Sequence, residues 1–207
     1  KLPIGCDVPE TIILADGDFP SHPLALEWLR QCPYVVCCDG AANTYIRSGR
    51  MPEAIVGDGD SLLPDIKERY ASLIHSEAEQ ETNDLSKAFR FCLSQERKRI
   101  TIMGATGKRE DHTIGNVSLL ADYMEQAEVS MMTDYGIFVP IREDSMFESY
   151  IGQQISVFNM NSTALSAEGL AYPLSVFTNW WQGTLNEALA RHFIIRTEGK
   201  VLVFRVF

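Results

Sequence analysis

Up to Glu125 the chain alternates between short apolar runs and amphipathic stretches, and this alternation restricts the fold more than any other feature. The runs Thr11–Ala15, Tyr34–Cys38, Ala54–Val56, Leu73–His75 and Ile100–Met103 are bounded by Gly, Asp or Pro and have no polar alternation. They therefore read as strands buried on both faces. Helical patterns lie between them at Pro23–Gln31, Ala41–Ser48, Pro64–Tyr70, Asn83–Arg97 and His112–Glu125, with Asn83 placed to cap the long fourth helix. The alternation predicts a mostly parallel sheet covered by helices, an α/β domain over residues 1–127.

After Glu128 the texture changes. Strand-like segments at Val129–Ile141, Ser145–Tyr150, Gln154–Asn159, Ala164–Glu168, His192–Thr197 and Val201–Phe207 are punctuated by Gly152, Asn161, Gly169, Gly183 and Gly199. Residues 128–207 are accordingly expected to form an all-β sandwich domain.

In open α/β sheets, ligands bind at the carboxyl ends of the strands. Asp16-Gly17-Asp18, Asp39-Gly40, Asp58-Gly59-Asp60 and Gly104-Ala105-Thr106-Gly107 each follow an apolar run. Asp58 and Asp60 form the sharpest of these motifs. Neighbouring carboxylates repel unless a proton or cation sits between them, and the hard cation that travels with phosphate is Mg²⁺. The acidic spacing is not sustained and Pro64 interrupts the loop, so an EF-hand does not fit.

Two further segments fit phosphate chemistry. In Gln80-Glu81-Thr82-Asn83-Asp84-Leu85-Ser86-Lys87, Asp84 and Lys87 share a helix face. They suit either a charged helix start or a metal–phosphate group, and spacing alone does not choose. Gly104 through His112 is not a Walker A loop, because Ile102 stands at the first glycine and Arg109 at the Ser/Thr. A small-residue loop before a helix still offers backbone N–H groups to an anion, and Arg109 adds a donor fork. Farther on, Thr184 and Asn186 alternate near Tyr172 and Trp180-Trp181, which suits either a heterocycle site or sandwich core with a hairpin.

Charge bounds the partners. The net charge is −10 and the isoelectric point about 4.8, which disfavours nonspecific nucleic-acid binding and favours a cationic small molecule. Cys6, Cys32, Cys37, Cys38 and Cys92 are odd in number and lack a CxxC, so reduced, structural cysteines are expected. No apolar run reaches the ~18 residues a spanning helix needs, and no secretory apolar core is present. A cytoplasmic protein without a membrane partner is the expectation.

Taken in order, Asp39-Gly40-Ala41-Ala42-Asn43, Gly57-Asp58-Gly59-Asp60-Ser61, Gln80–Lys87, Gly104–His112 with Asn116, and Gly169–Asn186 resemble the thiamine pyrophosphokinase family over nearly the whole chain. The resemblance implies a nucleotide-binding α/β domain, a β-sandwich, and a homodimer with active sites at the subunit interface. It implies pyrophosphoryl transfer from ATP to thiamine with Mg²⁺, held by Asp58, Asp60 and Asp84. Asp16, Gly17, Asp39, Gly40, Thr82, Thr106 and Arg109 would surround ATP. Lys87, Arg109 and Asp111 would act in catalysis, Thr82 and Gln80 would orient the reacting groups, and Gln80, Tyr172, Thr184 and Asn186 would meet thiamine.

The chain departs from the family pattern at several positions. Lys108 replaces the second glycine of GGRxDH, Gly59 a larger residue in GDxDS, and Asp16 a common asparagine. Thr184 stands for serine and Tyr172 for tryptophan. Two alternatives remain. One is a haloacid-dehalogenase-type phosphatase using Asp16 and Asp18; the other is a non-catalytic thiamine or nucleotide sensor.

Overall fold

A computed structural model describes residues 8–77 and 81–207. It divides into two units, the first comprising residues 8–119 and 126–134, the second residues 120–125 and 135–207.

In the first unit, strands β1 (Thr11–Leu14), β2 (Val35–Cys38), β3 (Ala54–Val56), β4 (Ile74–His75), β5 (Arg99–Met103) and β6 (Glu128–Met132) form a parallel array ordered β6-β5-β1-β2-β3-β4. β1, β2 and β3 are buried at every residue. This is the signature of strands covered on both faces. The expected boundary at 127/128 falls just before β6, which pairs in parallel with β5 inside this unit.

The helices are α1 (Pro23–Gln31), α2 (Ala41–Arg47), α3 (Pro64–Arg69), α4 (Asp84–Ser94) and α5 (Glu110–Tyr123). Proline opens α1 and α3, where its missing N–H costs nothing. The Asn83 side chain accepts from Ser86 N at 2.9 Å and caps α4 as expected. Leu85, Ala88, Phe89 and Cys92 supply α4's buried face, laid over β1, β2 and β3. The helix ends before the expected Arg97 because Glu96 turns left-handed at φ 59°.

The second unit is antiparallel. β7 (Gly136–Ile141), β9 (Gln154–Asn159), β11 (Asn186–Glu187) and β13 (Val201–Val206) are ordered β11-β9-β13-β7, and β8 (Ser145–Glu148), β10 (Leu165–Glu168) and β12 (His192–Thr197) form a second array, β10-β12-β8. Phe147 and Phe193, paired across β8 and β12, stack at 5.1 Å in the core. Buried Arg205 of β13 joins the arrays, its guanidinium 5.2 Å from the Phe147 ring and donating to the Glu148 carbonyl at 2.9 Å. The expected single strand Val129–Ile141 is two strands, β6 and β7, broken at residues 133–135.

Cys32, Cys37, Cys38 and Cys92 are free thiols, and Cys6 lies outside the described residues. Burial pushes Cys92 up to about 12 and Cys38 well above the ordinary thiol value, so neither is a thiolate at neutral pH. Among the described residues no helix is long and apolar enough to cross a membrane.

Candidate active site

The strand order reverses between β1 and β5, which puts the crevice of the first unit at their carboxyl ends. There the two following loops are sewn together. Ala15 N donates to the Met103 carbonyl at 2.8 Å, Gly17 N to that of Gly104 at 2.6 Å and Asp18 N to that of Thr106 at 2.9 Å. A β-carbon at Gly17 would stand 2.4 Å from the carbonyl oxygens of both Gly104 and Thr106, so only glycine permits this approach. Lys108 Nζ crosses to Asp16, reaching its main-chain oxygen at 2.9 Å and Oδ1 at 3.1 Å.

Beside the crevice lies a group of carboxylates. Asp39, after β2, is 3% exposed and holds φ at 27°, a conformation tolerated by Asp but unusual outside glycine. Its Oδ2 accepts from Ser61 N at 3.1 Å, while its Oδ1 is buried without a partner. Burial raises its proton affinity above the ordinary carboxylate range, Ser61 N–H opposes this, and the charges of Asp84 and Asp58 raise it further. Gly57, at φ 153°, lets the group close up: a β-carbon there would lie 2.8 Å from Asp39 Cβ and 3.4 Å from the carboxyl carbons of Asp39 and Asp84. Gly40 similarly abuts Asp16 and Ser61. Asp58 and Asp60 are exposed, and Asp58 Oδ1 accepts from Asp60 N at 3.1 Å.

Among the described residues no three His, Cys, Asp or Glu side chains stand as a ready-made metal cage, so Asp58, Asp60 and Asp84 are not preassembled as a triad. Their chemistry nevertheless suits a hard dication. The donors are carboxylate oxygens, one buried oxygen of Asp39 is unsatisfied, and the neighbouring charges repel.

The start of α4 supplies the counter-charge. Lys87 is buried and its Nζ donates to Asp84 Oδ1 at 3.3 Å. Thr82 Oγ1 accepts from the Arg90 guanidinium at 3.2 Å. Gln80 lies outside the described residues. Asn83 Nδ2 donates to Asn116 Oδ1 at 3.2 Å, and Asn116 Nδ2 to the Ala105 carbonyl at 2.9 Å, which ties α4 to the loop after β5. Asn43 does the same for the loop after β3, donating to the Ser61 carbonyl at 2.8 Å and accepting from Leu63 N at 2.9 Å. Residue type alone gave neither Asn43 nor Asn116 this role. Both carried only the polar amide that such loop ties need.

Exposed Arg109 and Asp111 form a bidentate pair at 3.1 and 2.6 Å. The Arg109 hydrogen bond holds Asp111 below its ordinary carboxylate value.

In the second unit, Asn186 is 4% exposed and its amide is committed to main chain. Oδ1 accepts from Tyr172 N at 3.0 Å and Glu187 N at 2.9 Å, and Nδ2 donates to the Tyr172 carbonyl at 2.8 Å. The Tyr172 ring is left exposed, and the Trp180 and Trp181 rings are exposed too. Thr184 Oγ1 donates to the Trp181 carbonyl at 2.7 Å, closing the 3₁₀ turn Trp180–Gly183. Leu185 at φ 63° separates Thr184 from β11, so the two residues do not alternate along one strand.

The fold and its strand ends define an α/β unit with carboxylates and a basic loop at one edge, followed by an antiparallel β unit. Residues 25–132 match the family described as thiamin pyrophosphokinase, catalytic domain, and residues 136–204 its substrate-binding domain. The chain belongs to the thiamin pyrophosphokinase family, a family of enzymes.

Thiamine pyrophosphokinase 1 of Oryza sativa subsp. japonica is 30% identical over 50% of this chain and 49% of its own length. The Bacillus subtilis thiamine pyrophosphokinase is 34% identical over 40% of each chain. The chain spans about half the length, or less, of the curated relatives it matches. In fold, it is similar to the crystal structure of the Bacillus subtilis protein, with TM-score 0.79 and 21% identity over 95% of this chain and 98% of that one. The yeast structure gives TM-score 0.78 at 16% identity, covering 98% and 88%.

Proposed function

We propose that this chain transfers a pyrophosphoryl group from ATP to the primary hydroxyl of thiamine, giving thiamine diphosphate and AMP. The observation that carries this reading is the cluster Asp39, Asp58 and Asp84 with Lys87, at the strand ends of the segment that matches the family's catalytic domain. The thiamine hydroxyl oxygen attacks the β-phosphorus and gives up its proton to solvent as the bond from that phosphorus to the α–β bridging oxygen breaks, and AMP carries that oxygen away. Transfer of this kind rests on positioning and charge neutralisation.

In this reading Asp58, Asp60 and Asp84 hold Mg²⁺, with Asp39 beside them. When bound, the ion neutralises charge on the phosphate oxygens. Lys87 keeps Asp84 in place, and Arg109, aimed by Asp111, meets phosphate. The Asp16-Gly17 turn, Gly40, Thr82 and Thr106 border ATP, and Gln80 orients the reacting groups. Asn186 contributes by fixing Tyr172, whose exposed ring, with Thr184, faces thiamine. A homodimer and a cytoplasmic location belong to the same reading. Sedimentation velocity tests the first, and fractionation of cells making the protein tests the second.

The deciding experiment incubates the chain with Mg²⁺, ATP and thiamine and separates AMP, ADP and inorganic phosphate. Thiamine-dependent AMP with thiamine diphosphate supports the proposal. ADP with thiamine monophosphate would mean an ordinary kinase, phosphate release from a phosphoester the phosphatase alternative, and thiamine binding without product a sensor.

A further inference from the structure

The loop after β5 carries a lysine where the backbone disfavours one. Lys108 has φ 55°, a left-handed conformation that glycine adopts freely and a β-carbon resists. Its ammonium nevertheless reaches across the β1/β5 crevice to the carbonyl oxygen and Oδ1 of Asp16. Docking of the two loops does not require this contact, since backbone bonds from Gly17 to Gly104 and from Asp18 to Thr106 already join them. If loop geometry were the only demand, glycine would meet it better.

Other described cations at this edge also have partners, Lys67 Nζ donating to the Gly59 carbonyl at 2.9 Å. Lys87 is buried against Asp84, and Arg109 is paired with Asp111. The Lys108–Asp16 pair is exposed, at 54% and 47% of the side chains, as is the Arg109–Asp111 pair, so either cation can exchange its carboxylate for a phosphate. The surrounding edge bears Asp16, Asp18, Asp39 and Asp58 and would repel a polyphosphate. An exposed ammonium at the crevice mouth answers that repulsion.

We propose that Lys108 is a phosphate-binding residue of the nucleotide subsite, parked on Asp16 and transferred to the polyphosphate of the incoming nucleoside triphosphate. This rests on the pyrophosphoryl-transfer reading above. In the family pattern given earlier, Lys108 and Asp16 are both departures, and here each is the other's partner.

The test compares the full chain with Lys108→Gly, Lys108→Arg and Asp16→Asn, by steady-state kinetics with ATP or thiamine varied and by thermal melting. Lys108→Gly is expected to raise the KM for ATP about tenfold without lowering Tm, whereas Lys108→Arg stays within about threefold. Asp16→Asn releases the ammonium and removes a repelling charge, so the KM for ATP falls. Opposite shifts for Lys108→Gly and Asp16→Asn support phosphate binding. Shifts in the same direction would mean that Lys108 merely pins the loops, and a change under about twofold in Lys108→Gly would equally overturn the proposal. Should the chain make no AMP from ATP and thiamine, the functional reading fails separately. Calorimetric titration with inorganic tripolyphosphate then decides Lys108: weaker binding by Lys108→Gly supports it, and equal binding overturns it.

Discussion

The carboxyl carbons of Asp39 and Asp84 each lie 3.4 Å from the place a β-carbon would occupy on Gly57. Two acids from different elements are thus brought together by the absence of one methyl group. Burial first, and the nearby Asp84 and Asp58 charges next, raise the proton affinity of Asp39, and the effect can be measured.

Asp39→Asn is expected to stabilise the fold at neutral pH by roughly 1 kcal/mol while reducing turnover. The sign follows from the raised proton affinity of Asp39 in the folded state. Its contribution to stability is full below the unfolded carboxyl pKa and is lost as pH rises through the higher folded value. The gain from Asn therefore appears above that window and vanishes in acid. Urea denaturation across pH checks it; an equal gain at pH 3 and pH 7 would remove the electrostatic explanation.

Gly57→Ala should destabilise by roughly 2–4 kcal/mol, because the added carbon meets Asp39 Cβ at 2.8 Å in a backbone conformation foreign to L-residues. Turnover should fall more than about tenfold even in molecules that remain folded, since the carboxylates are pushed apart. Chemical denaturation and kcat at low temperature separate the two losses.

Millimolar Mg²⁺ should raise the melting temperature by a few degrees, because a bound cation relieves the repulsion among Asp39, Asp58 and Asp84 and binds only the folded chain. Asp58→Asn and Asp84→Asn should lose most of that increment. A full increment in both variants would place the ion elsewhere.

Asn186→Ala removes three hydrogen bonds to main chain and should cost about 1–3 kcal/mol, while raising the KM for thiamine more than that for ATP. Asn186→Asp keeps both acceptor bonds and should recover part of the stability. Equal effects on both KM values would detach Asn186 from the thiamine side.

Much of the first unit was legible because buried parallel strands leave an unmistakable pattern: Val35–Cys38 and Ala54–Val56 are apolar at every position. Leu73 proved to belong to a 3₁₀ turn before β4, since a two-residue edge strand carries little pattern of its own. In the candidate site, residue types pointed to Asp39, Asp58, Asp84 and Arg109 as members of the proposed cluster. Spacing did not reveal that Asn186 faces backbone or that Lys108 meets Asp16. Those partners come from loops far apart in sequence, and the left-handed turn at Leu185 breaks the alternation that the reading of Thr184 and Asn186 relied on.

The strand order also has a consequence in time. β1 is synthesised before β5, its neighbour in the finished sheet, and the hydrogen bonds from Gly17 and Asp18 wait for Gly104 and Thr106. A nascent chain holding only β1–β4 has Asp39, Asp58 and Asp60 but neither Asp84 nor the crevice. Closing this long-range contact is the kind of late, slow event that high contact order imposes, so the β1/β5 crevice matures after most of its residues have been synthesised.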